Sequence, residues 1–470
     1  MEFFPYKTPR GSQESVLRTV EKNFNKYDVF VIRVPVAGGK SAIGTTIQGW
    51  CLENKASAGL LTPNNMLRDQ YLNEFDGLHT LKAQKDYWLE RYQMSVKDFM
   101  KQKKVKFGPK GCQYNEDRKL VKRVGTPIVV NFMSYLAHSL HRNVMIVVEA
   151  HKMLPMLQSL HATKLWRFKE GYPADLKTVQ QLLLWMESRS SLSKNMKKLR
   201  GELKSLTATS TIQFTTDYYM GAEKDCIKII PMDISSEAPV LWPKKTKKIV
   251  MMSATINETD VDNMGLGTRK VLYIDVESEI PENQRPIVFN PVGSMSKKNR
   301  EDTLPSLIKE IERITGEHSE QKGFIHATYE TAAILRRSFG DNSRFIFHGA
   351  NDKQERFQLF LNSAPESGMV FVGSGMHEGI DLKGTKGAYQ IITKTPFLSL
   401  ASPQYRYLAA NKPREYIWLT TKEMLQASGR ICRTPQDYGK TYILDKDAEL
   451  WITKAREYGQ LPSWYNPKGI

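Results

Sequence analysis

The run Asp28-Val-Phe-Val-Ile-Arg-Val34 leads without a break into Pro-Val-Ala37-Gly38-Gly39-Lys40-Ser41. A short apolar run rich in β-branched residues reads as a buried strand. The glycines after it permit a tight turn into a helix, and such a turn gathers backbone N–H groups around one point. Lys40 is placed to pair with the β and γ phosphates of a nucleotide, and Ser41 to offer its hydroxyl to magnesium, with Ala37, Gly38 and Gly39 lining the cradle. The common phosphate-loop pattern has glycine where Val34 stands, so an ordinary turn is the competing reading. Strand, loop and helix in that order require an α/β fold with a parallel sheet.

Further apolar runs fit that sheet. They are Ser57–Thr62, Thr126–Asn131, Asn143–Val148 and Lys247–Met252, separated by helix-sized gaps. The pattern restarts at Gly323–Ala327, Ser343–Phe347, Gly368–Val372, Gly387–Ile392 and Lys440–Asp445. The expected fold class is therefore α/β, with two parallel-sheet domains. The expected boundaries are 1–79 with 125–151 and 244–284 for the first domain, and 285–470 for the second. Two insertions interrupt the first domain. Residues 80–124 are polar and basic and include Lys101-Gln-Lys-Lys-Val-Lys106; residues 152–243 carry helical apolar spacing at Leu176, Val179, Leu183 and Met186, and again at Met196, Leu199, Leu203 and Leu206. Lys194, Lys197, Lys198, Arg200 and Lys204 interleave with the latter, which predicts a helical insertion with a basic face.

Charge narrows the partners. Lysine and arginine number 68 against 50 acidic residues, a formal net charge of +18 over 470 residues. That excess favours a polyanion, most commonly nucleic acid. The four cysteines, Cys51, Cys112, Cys226 and Cys432, are scattered and contain no Cys-x-x-Cys pair, which argues against a disulfide framework or a zinc site. No apolar run approaches the roughly 18 residues that span a bilayer, and the first residues lack a signal-peptide pattern. The expected location is cytoplasmic, nuclear in a eukaryote, or the host cytoplasm for a phage product, with no membrane partner.

Four more motifs carry chemistry. Val147-Val-Glu149-Ala-His151 closes an apolar strand, so Glu149 can polarise the water that attacks a γ phosphate and His151 can couple that site to the rest of the chain. A helix-start glutamate and a packed histidine are the plainer alternative. Ser253-Ala-Thr255 also follows a strand; its hydroxyls can hydrogen-bond toward a nucleic-acid path or simply cap a turn. Glu378-Gly379-Ile-Asp381 follows the Gly368–Val372 run and can contact nucleotide or strand backbone, or form a solvated turn. Gln426-Ala-Ser-Gly429-Arg430-Ile-Cys-Arg433 places two arginines three residues apart on one helix face. Arginines so placed stabilise charge on a transferred phosphoryl group.

These motifs stand in the order found in superfamily 2 helicases, and the chain resembles their XPD/DinG-like branch over nearly its whole length. Glu378-Gly-Ile-Asp381-Leu and the insertion after Glu-Ala-His are the features that look specific to that branch. Arg10-Gly-Ser-Gln13 resembles the segment in which a glutamine contacts adenine, and Thr62-Pro63 with Gln70 resembles the first single-strand-contacting motif. Asn131–Leu136 resembles the segment before Glu-Ala-His. The resemblance implies two RecA-like motor domains, ATP and magnesium as cofactors, and hydrolysis in a cleft served by both. It implies translocation on single-stranded DNA with 5′-to-3′ unwinding of tailed or forked duplexes by a monomeric motor. It also names the 152–243 insertion arch-like and puts 80–124 at the iron–sulfur domain position.

Two departures qualify the resemblance. Only Cys112 lies in the 80–124 segment, so no iron–sulfur cluster is expected. Val148 occupies the place of the family's metal-holding aspartate. A valine cannot coordinate a hard cation, so Ser41, Glu149 and the phosphates are left as the expected magnesium ligands. This keeps open an ATP-binding nucleic-acid clamp that hardly hydrolyses, and an RNA-directed motor is a further alternative. A phosphate-loop kinase is disfavoured by the arginine helix. Tyr87, Trp88 and Tyr92 beside the basic insertion are candidates for base stacking, although most aromatics are core.

Overall fold

The computed structural model describes residues 3–35, 38–176, 178–205, 210–219, 222–232, 234–235, 242, 246–349, 351–376, 382, 384–432 and 434–469. It divides into two compact units, Met1–Glu277 and Ser278–Ile470.

The first unit is built on strands β1 (Val29–Arg33), β2 (Ala58–Thr62), β5 (Ile128–Asn131), β6 (Val144–Val148), β10 (Lys248–Ser253) and β11 (Val271–Asp275). They form one sheet in the order β11-β1-β10-β6-β2-β5, and every pairing is parallel. The two faces separate by the strand period of two. Val29, Val31, Leu61, Val130, Val147 and Met251 enter one apolar core. Phe30, Ile32, Leu60, Val129, Ile146 and Met252 enter the other. Strands covered on both faces explain the uninterrupted apolar runs. Each fully buried aliphatic side chain contributes about 1.5–3 kcal/mol. The edge strand β11 was not anticipated: its residues are half-buried or exposed, and the apolar signal is correspondingly weak.

The 80–124 segment folds against that sheet. A short antiparallel pair, β3 (Trp88–Leu89) with β4 (Met94–Ser95), precedes helices Val96–Lys103 and Gln113–Lys122. Tyr87, Leu89, Val96, Phe99, Tyr114 and Val121 join the first core. The Tyr87 hydroxyl donates to Asp117 Oδ2 at 2.8 Å and accepts from Lys82 N at 3.1 Å. Tyr87 is thus a core residue and Tyr92 packs against the same core, while Trp88 stays 58% exposed.

The 152–243 segment is not purely helical. Beside helices Val179–Glu187 and Lys194–Ser205 it contains β7 (Thr163–Trp166), β8 (Ser210–Tyr219) and β9 (Ala222–Pro231) in an antiparallel sheet ordered β7-β9-β8. In β8 polar and apolar residues alternate only from Thr211 to Thr215, a short period-2 signal beside the stronger helical spacing. Leu182, Met186, Met196, Leu199 and Leu203 pack on Leu165, Ile227 and Ile229 in a separate core.

The second unit holds β12 (Ile287–Gly293), β13 (Gly323–Ala327), β14 (Phe345–Phe347), β15 (Val370–Ser374), β16 (Tyr389–Ile392) and β17 (Lys440–Asp445). Their order is β12-β17-β16-β13-β15-β14, again all parallel. β12, also unanticipated, carries Pro291 and lies at the edge, where a missing N–H is tolerated.

Candidate nucleotide site and arginine motif

Open parallel sheets bind ligands beyond the carboxyl ends of their strands. In the first unit those ends deliver Val34, Thr62, Asn131, Glu149 and Ser253 to one edge of the sheet. Lys40 opens the Lys40–Glu53 helix, and its N-cap, Gly39, sits at φ +77°. That positive φ favours glycine, and a Cβ there would fall 1.9 Å from Gln13 Nε2, which would have to move. Gln13 is itself buried; its amide donates to Gly38 O at 3.4 Å and its oxygen accepts from Arg10 N at 2.9 Å. The predicted Gln13 is therefore brought to the phosphate loop, while Arg10 contacts Gln13 through its backbone N–H and its side chain is exposed. Ala37 lies outside the described residues.

Lys40 Nζ lies 3.3 Å from Glu149 Oε1. The other carboxylate oxygen, Oε2, is 3.4 Å from His151 Nδ1. That nitrogen also hydrogen-bonds Ser253 Oγ at 2.8 Å, and Ser253 Oγ accepts from Thr255 N at 3.0 Å. A continuous polar chain thus runs Lys40–Glu149–His151–Ser253–Thr255. Burial acts to raise the Glu149 pKa, but Lys40, His151 and Lys152 together outweigh it and hold the carboxyl below its ordinary value. Glu149 is ionised at neutral pH as a result. Its backbone is left-handed, φ +51° and ψ 49°, a conformation that costs a non-glycine residue on the order of 1–3 kcal/mol. That turn ends β6 sharply and aims the carboxylate at Lys40.

Thr62 is buried at the end of β2, its hydroxyl donating to Asn64 O at 3.0 Å, with Pro63 half-buried beside it. Gln70 is exposed on the Asn65–Glu74 helix. The Thr255 hydroxyl is buried and lacks a hydrogen-bond partner among the described residues. Sequence reasoning missed Tyr71, which is fully buried against Ser41, and burial pushes its phenol pKa up. A tyrosine in an amphipathic helix carries no signal that separates this position from ordinary core.

In the second unit Gln426 lies on the Pro413–Ser428 helix, and Gly429 and Arg430 follow its end. Both Gln426 and Arg430 are half-buried. Leu382 N donates to Arg430 O at 3.3 Å, which ties the arginine segment to the residue after the Glu-Gly-Ile-Asp loop. Asp437 accepts from Gly384 N at 3.1 Å and from Thr434 N at 2.7 Å, bracing both neighbouring segments. Glu378, Gly379, Asp381 and Arg433 lie outside the described residues. Another residue missed was Asp445, buried at the end of β17, where it accepts three backbone N–H bonds; burial raises its pKa. An aspartate closing an apolar strand was the available clue.

The donor set for magnesium is sparse. No cluster of three or more His, Cys, Asp or Glu able to hold a metal occurs among the described residues. Magnesium on a nucleotide needs only one or two protein oxygens beside phosphates and waters, so Ser41 and Glu149 fit that minimum. Val148, 2% exposed at the end of β6, offers no donor.

Residues 322–466 match the family described as the helicase C-terminal domain. A probable ATP-dependent helicase of Methanocaldococcus jannaschii is 22% identical over 260 residues, covering 50% of this chain and 40% of that protein. The chain thus spans about two fifths of the length of that curated relative. Among solved structures, an XPD helicase aligns over 98% of this chain and 100% of its own at 13% identity, with a TM-score of 0.62. Xpd4 of S. tokodaii aligns over 97% and 100% at 12% identity, with a TM-score of 0.60. At such identities the likeness is one of fold. The chain thus holds two RecA-like parallel-sheet units, and the second contains a segment that matches the helicase C-terminal domain family. The fold of the whole chain is similar to that of XPD helicases. No helix among the described residues is long and apolar enough to cross a membrane.

Proposed function

We propose that this chain is an ATP-dependent helicase or translocase that moves on single-stranded DNA, 5′ to 3′, as a monomeric motor. The observation that carries this reading is the polar chain from Lys40 through Glu149 and His151 to Ser253. It joins a phosphate-binding lysine to a serine of the motif expected to face nucleic acid, which is the connection a nucleic-acid-stimulated hydrolase needs. The net charge of +18 supports a polyanionic track.

In this reading Gly38, Gly39 and Lys40 bind the phosphates, with Gln13 beside them for the base. Ser41 and the other carboxylate oxygen of Glu149 would hold magnesium, which would neutralise phosphate charge. On arrival of the nucleotide, Lys40 exchanges Glu149 for phosphate oxygens. The Glu149 oxygen released from Lys40 is then free to accept a proton from the attacking water. Arg430, with Arg433, stabilises charge on the transferred group, and Gln426, Glu378, Gly379 and Asp381 assist on the same unit. Thr62, Pro63, Gln70, Ser253 and Thr255 are proposed strand contacts.

A clamp that binds ATP and barely hydrolyses it is the second reading, favoured by Val148 alone. Phosphate release with and without single-stranded DNA or RNA separates the readings. A motor on DNA shows strong stimulation by DNA, abolished in Lys40→Ala and in Arg430→Ala. Duplexes with 5′ or 3′ tails then report polarity. Stimulation by RNA alone, or none at all, overturns the DNA-motor reading.

A further inference from the structure

Strand β16 contains a polar residue where its neighbours are uniformly apolar. Gln390 is completely buried between Tyr389 and Ile391 in the middle of the second sheet. Burying an amide is costly unless its hydrogen-bonding groups are met. Here both ends of the amide are met. Gln390 Nε2 donates to Ser428 O at 3.1 Å and to Thr441 Oγ1 at 2.8 Å. Gln390 Oε1 lies 3.1 Å from His326 Nε2. Because the amide nitrogen is the donor in both other contacts, its oxygen is the acceptor here, and His326 carries its proton on Nε2. One side chain thus joins β13, β16 and β17 to the last residue of the Pro413–Ser428 helix.

That helix end is the anchor of Arg430. Gly429 N and Arg430 N bond back to Leu425 O and Ala427 O, so the arginine continues directly from the backbone that Gln390 holds. Ser428 O sits among the last helix carbonyls, which find no partner within the helix itself. An apolar residue in place of Gln390 would take from this carbonyl the donor that Gln390 supplies and break the contact with His326, and the helix end could shift in response. The first sheet contains no counterpart: its buried strands present only apolar side chains at their mid-points.

We propose that Gln390, with His326 and Thr441, is a positioning device for the arginine motif: it fixes the helix terminus from beneath and thereby aims Arg430. Gln390 does not touch nucleotide. The proposal rests on the reading of Arg430 as acting in hydrolysis, but its structural half is tested independently of catalysis.

The test is hydrogen exchange on the full chain, comparing wild type with Gln390→Met, which keeps length and removes both donors. Gln390→Glu is the second variant, keeping an acceptor toward His326 while losing the donations. The expected result is exchange about ten-fold faster in the peptide covering residues 426–432, with strands β13 and β17 changed less than about two-fold. Phosphate release is measured in parallel. The expected kcat falls about ten-fold with the KM for ATP within about two-fold, and adding Gln390→Met to Arg430→Ala lowers kcat no further. Unchanged exchange at 426–432, or exchange raised equally across the whole sheet, overturns the positioning role. Additive loss in the double variant overturns it as well. A wild-type chain with no nucleotide hydrolysis would defeat the functional reading, and the exchange result would still decide the role of Gln390.

Discussion

Lys40 Nζ and Glu149 Oε1 stand 3.3 Å apart, so the lysine of the phosphate loop is already paired with the carboxylate assigned to the attacking water. The pair has a direct consequence for pH. Burial pushes the Glu149 pKa up, and Lys40 first among the nearby cations brings it below the ordinary carboxylate value. A depressed folded pKa gives stability that is present above the unfolded value and lost as pH falls through the folded one.

In the proposed function, nucleotide binding reverses that balance: phosphates would draw Lys40 away and leave the burial effect less opposed. The acid limb of kcat/KM, which reports free enzyme, is expected below the ordinary carboxylate range. The acid limb of kcat, which reports the nucleotide complex, is expected at higher pH. Coincident limbs in the two profiles would show that Lys40 does not leave Glu149. Glu149→Gln is expected to lower kcat at least about 100-fold while nucleotide binding persists.

His151 provides the next link. Its Nδ1 hydrogen-bonds Ser253 at 2.8 Å with both side chains buried, and Glu149 lies on the same nitrogen at 3.4 Å. Ser253→Ala removes one buried partner, a change worth about 1 kcal/mol or somewhat more. Basal phosphate release is expected to change little. The stimulation by single-stranded nucleic acid is expected to fall about five- to ten-fold, because the route from strand contact to Glu149 is cut. Full stimulation in Ser253→Ala would place the coupling elsewhere.

Much of this was legible in the sequence because it is written in local patterns. Buried parallel strands need continuous apolar runs, so β1, β2, β6 and β10 announced themselves, and with them the residues at their carboxyl ends. Gln13 was singled out by the resemblance, as a contact for adenine; its bond to Gly38 of the phosphate loop was not legible in the sequence. Edge strands β11 and β12 escaped because one carries half-exposed residues and the other a proline. The β8–β9 hairpin escaped because helical spacing beside it was louder. Gln390 and Tyr71 could not be read at all, since their importance lies in contacts with Ser428, His326 and Ser41 from distant parts of the chain.

Val148 is the position where the site departs from the helicase pattern it resembles. It is buried at the end of β6, adjacent to Met252 of β10 and immediately before Glu149. Val148→Asp adds an oxygen donor beside the two that fit magnesium, Ser41 and Glu149. The expected outcome is hydrolysis that saturates at about ten-fold lower magnesium, with a loss of stability of about 1–3 kcal/mol from placing a carboxyl in an apolar contact. Titration of phosphate release against magnesium, alongside a thermal melt, checks both. An unchanged or higher magnesium requirement would show that metal is held without help from this position.

The basic run of the first insertion provides the last prediction. Lys101, Lys103, Lys104 and Lys106 are all exposed at the end of the Val96–Lys103 helix and just beyond it. None of the four makes an ion pair among the described residues. Nothing in the fold requires this charge, and a like-charged cluster costs stability through self-repulsion. Each lysine that contacts a phosphate contributes about 0.7 to the slope of log affinity against log salt for a single strand. Replacing all four with glutamine is therefore expected to flatten that slope by about 2–3 and to leave the melting temperature unchanged or slightly higher. Binding to a short oligonucleotide between low and physiological salt measures it. An undiminished slope would mean that the strand runs over another face, and the exposed Trp88 of the same insertion would lose its case as a stacking platform.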